Sequence, residues 1–220
     1  MGIKECIMED IFTNIYKKKT WGKGSGTGSK LSNDNLKYIE LLKSIITKYN
    51  ITTICDIGCG DWEFSKHINY DKMNIEYTGI DCVEHIIKEN DKLYSGDNIT
   101  FIHKSISKDY IPSGYDLIII KDVIQHWDDE TILSFLGKLI SKNKYVFSTN
   151  GYKFMRDPSK NSLKKRDINN KYRYFPVSIN KYPLKKFKSK SIMVSEHRAK
   201  QMILFTDCNK CLKDNDDDSN

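Results

Sequence analysis

Five short apolar runs alternate with helix-like segments through the middle of the chain. The strand-like runs lie at 51–57, 75–80, 98–103, 115–120 and 144–149, and the helix-like segments lie near 61–68, 83–92 and 129–142. A run such as "LIII" is apolar at every position, which is typical of a strand that is covered on both faces. The alternation therefore predicts an α/β protein whose mainly parallel sheet is the middle layer of a three-layer sandwich.

The two ends of the chain depart from this rhythm. Amphipathic helices are predicted at 5–18 and 33–49, and the glycine- and serine-rich loop 20–32 separates them. Near the other end, "SIMVSE" and "KQMILFT" are strand-like and only a few residues apart. Such a short connection permits an antiparallel hairpin but no crossover, so we expect a hairpin at one edge of the sheet.

Charge is unevenly distributed along the 220 residues, whose net charge is +7. From Lys153 to Lys190 there are thirteen Lys and Arg residues against two acids. Two interpretations stay open, a solvated lysine-rich surface or a basic surface for an anionic substrate. We divide the chain into an N-terminal helix and loop (1–32), a main domain (33–207) with a basic insertion at 151–190, and an acidic, disordered tail (208–220).

Several classes of protein are disfavoured by composition. No apolar run approaches about 18 residues, and the N-terminus lacks the plan of a signal peptide, so we expect an intracellular protein that avoids membranes. The six cysteines fit buried free thiols better than a disulfide framework. "CNKC" at 208–211 has the spacing of half a zinc site but no second Cys or His pair close by, so no metal site is predicted.

The stretch "ICDIGCGDWEF" follows the plan of a cofactor-binding loop. Asp56, Gly58 and Gly60 come at the carboxyl end of the first predicted strand, and Asp81 in "TGID" ends the second. Ligands of open parallel sheets bind at this edge, where an acid can accept hydrogen bonds from ribose hydroxyls. A dinucleotide loop would need a third glycine where Glu63 stands, and we expect Trp62 and Glu63 to crowd a pyrophosphate. The loop therefore favours a nucleoside cofactor without phosphates.

These motifs resemble class I S-adenosylmethionine-dependent methyltransferases. "ICDIGCGD", "YTGIDCVEHII" and "YDLIIIKDVIQHWDDETI" match the first, second and fourth-strand motifs of that family. The resemblance implies a Rossmann-like sheet of order 3-2-1-4-5-7-6 with a terminal antiparallel hairpin. It implies S-adenosyl-L-methionine as the cofactor, with Asp81 on the ribose. It places these further residues at the cofactor: Cys82, Ser105, Ile106 and Lys121. Ser105 stands where the family usually has an acid for the adenine amino group.

A narrower resemblance extends to the N-terminus. "IFTNIYKKKTWGKGSGTGS" and "CGDWEF" are similar to motifs of a group of mostly bacterial and viral methyltransferases. In that group the N-terminal loop is expected to close over the methionine end of the cofactor, which makes Trp21, Ser25 and Gly26 candidates for the cofactor site. Asp56 is expected to hold the cofactor's amino group. The implied location is the cytoplasm, or the host cytoplasm for a viral protein.

Candidate residues for methyl transfer follow the fourth strand. A hydroxyl acceptor has to lose a proton, and Asp122 and His126 in "KDVIQHW" are the candidate bases. Family members place the acceptor over the loops after the fourth and fifth strands, so the basic insertion is the expected substrate side. From it we select Arg173, Tyr172 and Lys153 as residues that contact the substrate.

Three functions are compatible with these residues. The first is O-methylation of a small, sugar-like or anionic acceptor. The second is 2'-O-methylation of RNA ribose, in which Lys30, Asp122, Lys153 and Glu196 would form a Lys-Asp-Lys-Glu tetrad. The third is a non-catalytic partner subunit that keeps the fold, although the intact cofactor motif argues against it. The sequence leaves the acceptor and the oligomeric state open.

Overall fold

The computed structural model describes residues 3–106, 110–152 and 176–207. Its α-helices are α1 (Ile3–Lys17), α2 (Asn33–Lys48), α3 (Glu84–Tyr94) and α4 (Asp129–Lys142). Its strands are β1 (Thr53–Ile57), β2 (Glu76–Asp81), β3 (Ile99–His103), β4 (Leu117–Lys121), β5 (Tyr145–Gly151), β6 (Ser191–His197) and β7 (Lys200–Thr206).

The described strands form a seven-stranded sheet of order β3-β2-β1-β4-β5-β7-β6. β1 pairs parallel with β2, β2 with β3, and β4 with β5, whereas β7 runs antiparallel to both β5 and β6. The predicted architecture and strand order are therefore confirmed. Two compact units, Met1–Tyr110 and Ile111–Asn220, divide the chain and are described in turn.

The first unit consists of β1 to β3 with the helices that precede and follow them. Ile54, Cys55 and Ile57 of β1 are buried, as expected for a strand with both faces covered. Helix α2 begins after Ser32, whose hydroxyl accepts from the Asn35 amide at 3.4 Å. Its inner face carries residues spaced at helical intervals, namely Tyr38, Ile39, Leu42, Ile45 and Ile46.

The α-helix predicted at 61–68 is wrong. This segment contains one 3-10 turn, Ser65–His67, and residues on both sides of it, Trp62 and Asn69, have left-handed backbone angles (φ 54° and 60°) that no helix accommodates. The sequence looks amphipathic, but the Trp62 side chain turns into the core of the unit. Tertiary packing of one large ring therefore decides the local conformation.

The second unit contains β4, β5, α4 and the terminal hairpin. Leu117 to Ile120 of β4 are all buried. Helix α4 begins at its predicted residue because the Asp128 carboxylate accepts from the Thr131 amide at 2.7 Å. In the hairpin, β7 is buried from Gln201 to Thr206, while the edge strand β6 alternates between exposed and half-buried residues. The predicted hairpin is confirmed.

Some predictions fall on other parts of the chain. Residues 153–175, most of the basic insertion, and residues 208–220, the acidic tail, lie outside the described residues, so both predictions stay untested. Within the described ranges, no helix is long and apolar enough to cross a membrane. The same ranges contain no group of three or more His, Cys, Asp or Glu side chains placed to hold a metal ion.

Candidate active site

The loop after β1 lies against the carboxyl end of β2. The amides of Gly58 and Cys59 donate to the Ile80 carbonyl at 2.7 and 3.1 Å. Gly58 and Gly60 both have positive φ (73° and 57°), and a Cβ on Gly60 would stand 2.5 Å from the Ser25 hydroxyl. Glycine is required here because the backbone turns left-handed and a neighbouring segment approaches closely.

Asp81, at the end of β2, anchors the same loop. Its carboxylate accepts from the amides of Gly60 and Val83, each at 3.0 Å. Burial raises the pKa of Asp81 above its ordinary value, although these backbone donors partly oppose the shift. On the other side of the loop, the buried Asn90 of α3 donates to the Gly60 carbonyl at 2.7 Å. A carboxylate has about four acceptor positions, so Asp81 can hold the loop and still accept from a ligand's hydroxyl.

Asp56 is buried at 5% exposure and has a partner that the sequence did not reveal. The Tyr77 hydroxyl donates to the Asp56 carboxylate at 2.7 Å. The pKa of Tyr77 is raised mainly by burial and to a smaller extent by the negative charge of Asp56. In the β1–β2 pair Asp56 aligns with Gly79, and Tyr77 lies two residues before Gly79 on the same face of the sheet. This contact depends on the strand pairing, so no local pattern could have predicted it.

The N-terminal loop is fastened to the glycine loop by a reciprocal pair. The Ser25 amide donates to the Asp61 carboxylate at 2.7 Å, and the Asp61 amide donates to the Ser25 hydroxyl at 2.9 Å. The hydroxyls of Ser25 and Tyr16 are joined by a further hydrogen bond of 2.6 Å. The sequence predicts Ser25 as a cofactor-site residue, which stays a prediction, and it gives no indication of its contacts with Tyr16 and Asp61. The acid that directly follows Gly60 in "CGDW" was the available signal for Asp61.

Trp21 and Gly26 belong to the same N-terminal loop. The Trp21 ring packs 5.8 Å from Phe12 and 6.0 Å from Tyr16, both on α1. Gly26 is buried at φ 87°, and a Cβ there would meet the Trp21 side chain at 3.0 Å. The loop therefore has a defined conformation that joins α1 to the glycine loop. We call residues 20–30 the N-terminal strap.

The remaining cofactor candidates of the first unit lie just after β2 and β3. Cys82, Ser105 and Ile106 are half-buried. Burial and the adjacent Asp81 raise the pKa of the Cys82 thiol, so it stays neutral at physiological pH. The Nε2 atom of His103 lies 3.3 Å from the carboxylate of Glu9 on α1 and 3.1 Å from the Cys82 carbonyl oxygen.

Trp62 does not crowd the glycine loop, contrary to the expectation from the sequence. Its side chain is 4% exposed and its ring lies among four aromatic rings, with centroids 5.1 to 6.1 Å away, which belong to Tyr70, Tyr77, Tyr94 and Phe101. Glu63 is exposed and pairs with Lys66 at 3.1 Å. The steric argument against a pyrophosphate is therefore wrong, and the choice of cofactor rests on the motif and the family.

In the second unit, Asp122 lies between two lysines directly after β4. Lys121 Nζ is 3.2 Å from one carboxylate oxygen, and Lys200 Nζ pairs with the other. Burial opposes the charged form of Asp122, but the two ammonium groups outweigh burial and lower its pKa below the ordinary value. Asp122 also has a left-handed φ of 62°, and its amide donates to the Thr149 carbonyl at 2.7 Å.

His126 ends a 3-10 turn, Ile124–His126, and its side chain is half-buried. The preceding residue, the buried Gln125, accepts from the Gly151 amide at 3.2 Å and joins this turn to the end of β5. The predicted substrate residues Lys153, Tyr172 and Arg173 lie outside the described residues.

A mainly parallel sheet with this strand order, a glycine loop after β1 and an acid at the end of β2 define a Rossmann-like methyltransferase domain. A family model for "Methyltransferase domain" matches residues 50–212. The chain belongs to this methyltransferase family. It is an S-adenosylmethionine-dependent methyltransferase, which confirms the predicted enzyme class and cofactor.

Solved structures support the fold. The chain is similar to the methyltransferase domain of a bacterial Hen1, at 19% identity over 79% of this chain and 100% of that one, with a TM-score of 0.58. It is also similar to magnesium protoporphyrin IX methyltransferase from Synechocystis PCC 6803 with bound SAM. The identity is 13% over 94% of this chain and 99% of that one, with a TM-score of 0.58. Mitomycin 7-O-methyltransferase is 14% identical over 77% of this chain and 56% of that one, with a TM-score of 0.56. No curated protein is significantly similar in sequence.

The residues of the first unit fit S-adenosylmethionine. The Asp81 carboxylate suits ribose hydroxyls, and the absence of a side chain at Gly58 leaves backbone that a ligand can approach closely. Asp56 offers a negative charge beside this loop for the cofactor's ammonium group.

Proposed function

We propose that the chain methylates a hydroxyl oxygen of a small, sugar-like or anionic acceptor. The observation that carries this proposal is the end of β4, where Asp122 lies between two lysines and His126 follows four residues later. A hydroxyl acceptor needs a group that removes its proton, and an anionic one needs positive charge near the reaction. Two structurally similar proteins, mitomycin 7-O-methyltransferase and a putative O-methyltransferase from Nostoc punctiforme, carry names of the same reaction type.

The residues take distinct roles in this proposal. The cofactor, when bound, supplies a methyl group activated by the sulfonium charge. Asp81 accepts hydrogen bonds from the ribose hydroxyls of the cofactor, and Asp56 accepts from its amino group. The strap residues Trp21, Ser25 and Gly26 cover the methionine end. The surroundings of the nucleoside and the methyl group are completed by Cys82, Ser105, Ile106 and Lys121. His126 accepts the proton of the acceptor, since an imidazole titrates near neutral pH.

Three finer assignments belong to the proposal. We assign the chain to the bacterial and viral group that shares the motifs "WGKGSGTGS" and "CGDWEF". We place the anionic part of the acceptor against Arg173, Tyr172 and Lys153 of the basic insertion. We place the protein in the cytoplasm, which for a viral member is that of the host.

Cofactor binding is tested by calorimetry with S-adenosylmethionine. Asp81→Asn removes one charged acceptor, and we expect it to weaken binding about tenfold or more, because hydrogen bonds to charged groups contribute about 1.5–3 kcal/mol each. Asp71→Asn, at an exposed position of the same unit, is the matched control and should leave the affinity unchanged. Failure of the wild-type chain to bind the cofactor would remove the basis of the proposal.

The acceptor is tested by a screen with isotopically labelled cofactor against nucleotide sugars, phosphorylated metabolites and capped RNA. For an acceptor that is methylated, His126→Asn should lower kcat by about a hundredfold to ten-thousandfold, the range for loss of a general base. The variant should also lose the acid limb of the pH–rate profile. His67→Asn, at an exposed histidine, is the control. An unchanged kcat in His126→Asn would assign that side chain to packing.

A second candidate function is 2'-O-methylation of RNA ribose. The observation in its favour is that Asp122 pairs with lysines on both sides, as part of a Lys-Asp-Lys-Glu tetrad would require. The two lysines are Lys121 and Lys200, whereas the predicted tetrad used Lys30 and Lys153, and Lys153 lies outside the described residues. The predicted Glu196 instead accepts from Tyr152 at 2.5 Å and Gln201 at 2.9 Å. This function predicts methylation of capped or uncapped RNA and none of free nucleotide sugars.

A partner subunit without catalytic activity is the remaining alternative. A chain of this kind would not need the acids after β1 and β2, and here both are held in hydrogen-bonded positions. Cofactor binding without methylation of any acceptor, combined with stimulation of a second enzyme, would establish this alternative.

A further inference from the structure

Two ammonium groups lie beside one carboxylate at the edge of the sheet where β4 and β5 end and β7 begins. Lys121 and Lys200 both pair with Asp122, one with each carboxylate oxygen. Lys121 is 11% exposed at its side chain and Lys200 is 35% exposed. The second lysine is therefore reachable from solvent while its charge is held in a fixed place by Asp122.

Strand register puts a polar side chain on the same face. Lys121 aligns with Thr149 between β4 and β5, and Gly151 aligns with Lys200 between β5 and β7. Residues that align across strands, or lie two apart along one, share a face of the sheet, so Thr149 lies on the face of both lysines. The Thr149 hydroxyl is buried and has no hydrogen-bond partner among the described residues. A buried hydroxyl without a partner costs free energy, which a ligand or a water at this place would recover.

The neighbouring carboxylate of Glu196 does not cancel this charge. Glu196 aligns with Gln201, and successive residues of a strand point to opposite faces, so Glu196 lies on the other face from Lys200. Its two oxygens accept from Tyr152 and Gln201. His197 aligns with Lys200 and lies on the lysine face. At this end of the described strands, Lys121, Lys200 and His197 share the face, and Asp122 directly follows β4.

We propose that Lys200, Lys121 and Thr149 form an oxyanion subsite that binds a phosphate group of the methyl acceptor, with Asp122 as the counter-ion that holds the lysines when no acceptor is bound. An ammonium group has three N–H donors, so each lysine can bind Asp122 and a phosphate oxygen together. A phosphate fits better than a carboxylate because it has enough oxygens to contact both ammonium groups and the Thr149 hydroxyl. The proposal deepens the function proposed above, since it names the acceptor as a phosphorylated compound.

The test is an NMR titration of the full chain with inorganic phosphate, at an ionic strength held constant with sodium chloride. We expect saturable shifts of the amide signals of Thr149, Gly151 and Lys200. Lys200→Met should weaken phosphate binding about tenfold or more, as loss of a charge-assisted hydrogen bond implies. Lys185→Met makes the same charge change at an exposed lysine of the same unit and should leave the affinity unchanged. Acetate should bind more weakly than phosphate.

Asp122→Asn gives the sharpest outcome because its expected effect has the opposite sign. The variant removes the competing carboxylate, and asparagine tolerates the left-handed backbone at this position, so phosphate should bind more tightly than to the wild type. A structural role for the lysine pairs predicts weaker binding or none in this variant. Phosphate shifts that do not saturate, or that Lys185→Met and Lys200→Met reduce equally, would overturn the subsite, as would acetate binding as tight as that of phosphate.

Failure of this subsite and failure of the proposed function can be told apart. Phosphate is titrated without cofactor, so it reports on Lys200 even if S-adenosylmethionine does not bind. Conversely, Lys200→Met should bind S-adenosylmethionine with the wild-type affinity. Cofactor binding and acceptor methylation without a phosphate site at Lys200 would leave the methyltransferase function in place and remove only the subsite.

Discussion

Asp81 and Asp122 follow two strands of the sheet, and their surroundings shift their pKa values in opposite directions. Burial raises the pKa of Asp81, whereas the two lysines lower that of Asp122 in spite of its burial. An ionised Asp81 therefore costs the unliganded protein free energy, and an ionised Asp122 stabilises it. A raised pKa, as at Asp81, is typical of a carboxylate that binds a ligand. A lowered pKa, as at Asp122, is typical of a carboxylate held in ion pairs of the folded protein.

These shifts predict opposite pH dependences of stability. We compare the free energy of unfolding of the wild type with that of Asp122→Asn and of Asp81→Asn between about pH 7 and pH 3, a range that spans the ordinary pKa of about 3.9. The stabilisation by Asp122 is present above its unfolded-state pKa and should be lost as the pH falls through the folded pKa. The cost of Asp81 should be relieved as the pH falls through its raised folded pKa.

Urea titrations at each pH give the measurement, with both variants compared with the wild type under identical conditions. The wild-type advantage over Asp122→Asn should shrink on acidification, and the wild type should gain relative to Asp81→Asn. Differences that run in the same direction for both aspartates would show that the ion pairs of Asp122 do not hold in solution.

The burial of Trp62 predicts a much larger loss of stability on substitution than at the neighbouring exposed residue. Because its ring is surrounded by four aromatic rings, Trp62→Ala should destabilise the chain by about 3–5 kcal/mol, the usual cost of deleting a large buried ring. The neighbouring Glu63→Ala removes an exposed side chain and should change little. Urea unfolding of both variants measures the contrast, and similar effects at the two positions would mean that the tryptophan lies outside the core.

At the scale of elements, the sequence predicted those segments whose local signals agree with their packing. Helix α4 was predicted from 129 to 142 and has those bounds, because the capping Asp128 and a regular apolar stripe act together. The prediction of a helix at 61–68 is wrong because Trp62 packs against four aromatic rings that are distant in sequence. Three of these rings belong to β2, α3 and β3, and the fourth lies just before β2. Lys200 was missed for a similar reason, since it meets Asp122 only through the register of β5 and β7.

Three hydrogen bonds of Ser25 fasten the N-terminal strap to the glycine loop and to α1. Ser25→Ala removes the hydroxyl that accepts from the Asp61 amide and bonds Tyr16. We expect the strap to open more often, so trypsin should cleave the native protein faster after Lys23, and the affinity for S-adenosylmethionine should fall. Ser29→Ala, in the same strap, is the matched control.

Native-state proteolysis followed by mass spectrometry measures the opening, and calorimetry measures the affinity. Faster cleavage together with unchanged affinity would show that the strap is fastened to the glycine loop without covering the cofactor. Unchanged cleavage in Ser25→Ala would mean that the Trp21 packing and the Asn35 hydrogen bonds to the Gly28 and Lys30 carbonyls hold the strap without the Ser25 hydroxyl.

For the whole molecule, the net charge of +7 makes association with any polyanion favourable, so binding of RNA is by itself weak evidence for function. The salt dependence of the affinity distinguishes binding of a small phosphorylated acceptor from binding of RNA. A small phosphorylated acceptor has no condensed counterions to release, so its affinity should vary only weakly with salt. Single-stranded RNA gives a slope of log K against log salt of about −0.7 for each phosphate contacted.

We therefore expect a shallow salt dependence for a methylated small acceptor and a steep one for an RNA oligomer, measured by fluorescence anisotropy and calorimetry between about 50 and 200 mM salt. The decisive comparison uses Lys200→Met against Lys185→Met. On a non-specific basic surface, each substitution reduces the RNA slope equally, because every lysine contributes one contact. At a true acceptor site, Lys200→Met alone should reduce methylation. RNA that is methylated and whose binding depends on Lys200 far more than on Lys185 would favour the RNA ribose reaction over the small-molecule one.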